Sequence, residues 1–216
     1  MNVEAPPPSS QVYQRLRRDV ISGHLRPNAV LSEGDLAKEL GVSRTPVRDS
    51  LNLLAINGLV RLHKRRWIVH EHSLREIRET YEVRAALEGQ AALLAATVAS
   101  DADIDQLLKE ARDPSPRREA PDQLVATNDR FHSLLVQASG NSVLCRAVEA
   151  VTNYYFNHEV ANLYSEEELA IAVRQHIDLG EAIAARAPEQ ARDLAYAHVK
   201  DSYEILADKH QRLGRT

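Results

Sequence analysis

Apolar residues recur at helical spacing along most of the chain, and the interruptions mark its turns. Val12, Leu16 and Val20 stand four apart up to Gly23, which predicts a helix of about three turns. Pro27 places residues 26–31 in a loop. Ser32 with Asp35 has the spacing of a capping box, and Leu36 and Leu40 give the inner face of a second short helix ending at Gly41. Val47, Leu51 and Leu54 form the inner face of a third, which ends near Gly58. Ser43 is placed to cap it, and Pro46 falls in its first turn, where a missing amide hydrogen is harmless.

The period then changes. Residues 59–62 and 67–70 are short, apolar and partly β-branched, and they flank His63-Lys64-Arg65-Arg66, which predicts a hairpin with a basic tip. From Ser73 onward the helical period returns and persists. Ser73 with Glu76 and Ser165 with Glu168 are capping boxes, while Gly140-Asn141 and Ala187-Pro188 are breaks. Helices are expected over 73–99, 100–113, 121–139, 141–163, 165–186 and 188–213, with a proline-bearing linker over 114–121. The fold class is therefore mainly α: an N-terminal winged helix-turn-helix with a small β-hairpin wing, then an all-α antiparallel bundle. Residues 1–10, with three consecutive prolines, read as a flexible leader, so the domains are expected at 11–72 and 73–216.

Charge supports this division. Residues 1–72 hold eleven Lys plus Arg against seven Asp plus Glu, and the remainder holds sixteen against twenty-four. A basic head on an acidic body fits a nucleic-acid partner for the head. Cys145 is the single cysteine, so no intrachain disulfide can form, and no N-terminal stretch resembles a signal peptide. The expected location is the cytoplasm, with no membrane role.

The third helix carries the head's chemistry. Arg44 and Arg48 are four apart on one face, where an arginine fork matches guanine O6 and N7 or a phosphate. Ser43 and Thr45 can donate to phosphates, and Lys64, Arg65 and Arg66 add salt-dependent affinity. Residues 12–60, centred on LSEGDLAKELGVSRTPVRDSLNLLAINGLV, resemble the DNA-binding domain of the GntR family of bacterial transcription regulators. The resemblance implies operator contacts at Arg44, Thr45 and Arg48 and a wing tip near His63 in the minor groove. Gly34 departs from it, standing where relatives often carry a DNA-contacting arginine. The tip HKRRW also lacks the glycine common there.

The second half resembles the FadR branch of that family, with its FCD-type ligand-binding domain, through 81-YEVRAALE-88, 128-NDRFH-132 and 138-ASGN-141. That resemblance implies an all-helical, dimeric domain with a metal site of one Asp or Asn and three histidines, here Asn128, His132, His176 and His198. Spacing agrees. Asn128 and His132 are one helical turn apart, and each histidine has apolar neighbours at helical intervals, so all three face inward near mid-bundle. Hydrogen-bonded core histidines are the alternative. An imidazole-rich set suits zinc or nickel, and a neutral Asn128 leaves it without a negative ligand, which an anionic effector would supply. Asp129 points about 100° away and does not substitute. Arg84 is also inward-looking, either paired with Glu88 or forked onto an effector carboxylate. Tyr154, Tyr155 and Asn157 are weaker candidates for the same cavity.

The expected function is a dimeric regulator that binds a palindromic operator and whose affinity responds to a small carboxylate at a metal. A metal-responsive regulator uses the same residues. A metallohydrolase would need a general base and an open coordination position, and the sequence has no HExxH and only Glu88 as a base.

Overall fold

The computed structural model describes residues 8–113, 121–152 and 164–212, with side chains over 9–113, 123–152 and 164–209. The described residues divide into two units, 8–71 and 72–212.

The first unit runs α1 (Pro8–Ile21), β1 (Val30–Leu31), α2 (Glu33–Leu40), α3 (Arg44–Ile56), β2 (Val60–His63) and β3 (Arg66–Val69). One core of Leu16, Leu36, Val47, Leu51, Leu54 and Val69 joins its helices to its sheet. The first helix begins at Pro8, inside the stretch expected to be a leader, because proline is tolerated in a first helical turn. Ser50 Oγ donates to the Ser9 carbonyl at 3.0 Å and ties that turn to α3. The expected loop over 26–31 contains β1, which makes the sheet three-stranded in the order β1-β3-β2. Its two residues pair with Ile68 and Trp67, and a strand that short shows no readable period.

The wing turn is tighter than its sequence suggests. His63 pairs with Arg66, so Lys64 and Arg65 alone close the hairpin, with φ of 47° and 62°. Two positive φ values define the turn type that usually selects Asn-Gly. Here two long basic residues adopt it.

The second unit comprises α4 (Leu74–Val98), α5 (Asp101–Ala111), α6 (Pro121–Ala138), α7 (Ser142–Thr152), α8 (Glu166–Ala184) and α9 (Pro188–Arg212). Reciprocal capping boxes start α4 at Ser73/Glu76, α5 at Ser100/Asp103 and α8 at Ser165/Glu168. Phe131, Leu135, Leu179 and Ile183 fill the centre. Along α4 and α9 the packed residues are small: Ala92, Ala95 and Ala96 share a core with Ala191 and Ala195. A Cβ on Gly89 would stand 3.4 Å from the Arg192 carbonyl, so the two helices approach closely. Of the helix expected over 141–163, the described part is α7. Tyr154, Tyr155, Asn157 and most of the 114–121 linker lie outside the described residues.

Candidate functional site

In the first unit Ser43, Arg44, Thr45 and Arg48 are all exposed at the N-terminal half of α3, and His63 to Arg66 are all exposed at the wing. Ser43 has the extended backbone of an N-cap, yet its side chain makes no cap bond. The reason is local. Three residues on stands Pro46, which has no amide hydrogen to donate, so the expected cap is not formed and the hydroxyl is left toward solvent. Arg44 lies over the first turn of α2: a Cβ at Gly34 would sit 3.3 Å from its Nη2. The missing side chain at Gly34 is thus the space that the Arg44 guanidinium fills.

Arg48 is not free. It forms an ion pair with Glu33, with Nη2 2.8 Å from Oε2. Glu33 was missed from sequence because it lies fifteen residues away and looks like an ordinary first-turn helix acid.

The second unit brings three histidines from three helices together: His132 on α6, His176 on α8 and His198 on α9 are all buried. Their ligand atoms lie within 4.8 Å of one another. His198 Nε2 stands 3.1 Å from His176 Nε2 and 3.3 Å from His132 Nε2. His132 Nδ1 meets Glu88 Oε2 at 2.7 Å, and a carboxylate only accepts, so that nitrogen carries the proton. His198 Nδ1 meets Gln175 Oε1 at 2.8 Å, while Gln175 Nε2 donates to Asp201 Oδ2 at 2.6 Å. The amide orientation is fixed by Asp201, so His198 also holds its proton on Nδ1. The Nε2 atoms of His132 and His198 therefore face each other.

Burial lowers the His198 pKa to about 3, helped by His132, and burial lowers His176 well below its ordinary value, helped by His198 and His132. Both rings are neutral at physiological pH, the form that ligates metals. Burial alone would raise the Glu88 carboxyl, but Arg84 and His132 beside it hold it well below the usual carboxylate range. Arg84 Nε donates to Glu88 Oε1, so the ion pair raised from the sequence is formed, and both side chains are buried. The Tyr81 ring lies 5.5 Å from the guanidinium.

Three buried, converging imidazoles, with two protons pinned on the outer nitrogens, are chemically suited to a borderline divalent ion such as zinc or nickel. Asn128 stands one turn before His132 on α6 and is half-buried. Glu88 and Gln175 form the outer layer. Neither was assigned that role from sequence, because the contacts join residues 44 and 23 positions apart.

Comparison with known proteins agrees with both units. The family model for bacterial regulatory proteins of the gntR family matches residues 8–69, and that for the FCD domain matches 79–201. The chain is 28% identical over 216 residues to the HTH-type transcriptional repressor RspR of Escherichia coli K12, covering 95% of this chain and 91% of that protein. It is 26% identical over 200 residues to YdhC of Bacillus subtilis, named as an uncharacterized HTH-type transcriptional regulator, covering 91% and 89%. Among solved structures, Escherichia coli McbR/YncC superposes with a TM-score of 0.81 at 23% identity, over 95% of this chain and 100% of that one, a likeness of fold. The chain belongs to the gntR family of bacterial regulatory proteins, carries an FCD domain after its helix-turn-helix, and is a DNA-binding transcription regulator rather than an enzyme.

Proposed function

We propose that this regulator binds a palindromic operator as a homodimer in the cytoplasm, and that a small carboxylate bound at a divalent metal in the bundle sets its affinity. The unit over residues 8–71 is the DNA-binding domain, and the unit from residue 72 onward is the effector-binding and dimerisation domain. Arg44, Thr45 and Arg48 read base edges, while Ser43, His63, Lys64, Arg65 and Arg66 engage the backbone and minor groove. His132, His176, His198 and Asn128 hold zinc or nickel.

The observation that carries the reading is the convergence of His132, His176 and His198 in a chain whose other unit exposes the arginines of α3. None of the four ligands is negative, so a bound ion would supply uncompensated positive charge, and a carboxylate answers it. Arg84, already buried beside Glu88, adds a second cation to orient the acid. A ligand favouring one arrangement of the paired heads shifts the population, and operator affinity changes by its differential affinity for the two states.

The experiment is elemental analysis of the purified protein, followed by mobility shift on duplexes that it selects from a random pool. About one ion per chain, lost with His176→Ala, and a graded change in DNA binding on adding hydroxy- or dicarboxylic acids is the expected result. A protein without metal, or one whose DNA binding ignores every acid, overturns it. DNA binding that follows the ion without any acid identifies a metal-responsive regulator.

A further inference from the structure

Glu33 opens α2, and its carboxylate takes donors from two other elements. Arg48 Nε on α3 lies 3.2 Å from Oε1 and 3.1 Å from Oε2, and Arg48 Nη2 lies 2.8 Å from Oε2. Trp67 Nε1 on β3 donates to Oε1 at 3.2 Å. The indole is buried, whereas the Arg48 side chain is 61% exposed. Nη1 of Arg48 has no partner among the described residues.

A guanidinium presents two forks, one along Nε and Nη2 and one across Nη1 and Nη2. Glu33 occupies the first. The second stays open, and its paired N–H groups match guanine O6 and N7. The same carboxylate also repels phosphate from the vicinity of Arg48, so this arginine contributes little to binding that ignores sequence.

We propose that Glu33 is a specificity-determining positioning residue of the DNA-reading face: it holds the Nε edge of Arg48, leaves the end fork for a guanine, and withholds that arginine's charge from unmatched DNA. Through Trp67 the fork is also referenced to the wing, because β3 runs directly into the basic tip. The Arg48 hydrogen bond lowers the Glu33 carboxyl below its ordinary value, despite some burial, so the counter-charge is present at neutral pH. The inference rests on Arg48 reading a base, as proposed above.

The test uses the full-length protein, the duplexes that wild type recovers from a random pool, and random duplex as competitor. Glu33→Gln is expected to bind random duplex several-fold tighter, with a salt slope steeper by about one. Its ratio of selected to random affinity falls about tenfold, and pools reselected with it lose preference at the base pair that Arg48→Ala also loses. Glu33→Asp restores part of the ratio. Should Glu33→Gln fail to fold by thermal unfolding, Trp67→Phe keeps the apolar bulk, removes one of the two donors to Oε1 and lowers the ratio in the same direction. An unchanged ratio and slope, or an equal loss on both DNAs, overturns the role of Glu33 alone. A wild-type protein that recovers no preferred sequence overturns base reading by Arg48, and this role with it.

Discussion

Two outer nitrogens decide what the three inner ones can do. Glu88 takes the proton side of His132 and Gln175 takes that of His198, so both rings turn Nε2 inward. Outer partners of this kind typically govern metal affinity by roughly 10–100-fold, so Glu88→Gln is expected to weaken zinc binding by that order. Competition against a chromophoric chelator measures it, and unchanged affinity would leave Glu88 with only its Arg84 ion pair. In the other unit the arginines divide their labour. Arg48→Ala is expected to cost about 1–3 kcal/mol of discrimination between selected and random duplex. Arg65→Ala flattens the salt dependence by about one unit of slope and leaves the ratio nearly unchanged. Equal losses from both variants on both DNAs would show that the two side chains do the same work. Arg44 and Arg48 could be picked out in the sequence because they stand four apart on one face at a helix start, and the histidines because each stands at a helical interval from apolar neighbours. Glu33 and Gln175 could not, since each acts on a side chain brought to it only by folding.

Three helix starts are legible because they are written locally: serine, then an acid three residues on, at Ser73, Ser100 and Ser165. Ser43 also stands at a helix start but makes no cap bond, since Pro46, three residues on, has no amide hydrogen to donate. The first strand is hidden for another reason. Val30 and Leu31 are too few to show alternation, and their partners on β3 lie more than thirty-five residues on. Close helix packing is equally silent in sequence. A Cβ on Gly180 of α8 would stand 3.0 Å from Leu108 Cδ2 of α5, so this glycine sits where the bundle has no room. Gly180→Val is expected to destabilise the protein by about 1–3 kcal/mol through overpacking. A lower urea midpoint at unchanged m-value would report it. A midpoint at or above wild type would mean that Leu108 yields without cost.

At the scale of the whole chain, the first part is basic and the remainder acidic, and the two family models match residues 8–69 and 79–201. Charge and period could indicate a DNA-binding head and a helical body because both are summed over many residues. Period turns His132, His176 and His198 inward near mid-bundle, but the 3.1 and 3.3 Å approaches of their Nε2 atoms depend on how three helices turn toward one another. The proposed homodimer carries its own prediction: binding to a selected palindrome should fall about as steeply as two separate contacts require when one half-site is scrambled, each mismatched base pair costing roughly 1–3 kcal/mol. Insensitivity to that change would point to binding by a single head.

The hydrogen bond between Trp67 and Glu33 has an optical consequence. Trp67 is the only tryptophan in the chain, beside seven tyrosines, and it sits in the DNA-binding unit. Its emission therefore reports on the head alone, without added dye or label. Because the indole donates to the carboxylate that holds Arg48, its spectrum registers whether that hydrogen bond is kept or broken. A shift in tryptophan emission on adding an ion to the histidine cluster would be a signal received in one unit from an event in the other, visible in the unmodified protein without any DNA present.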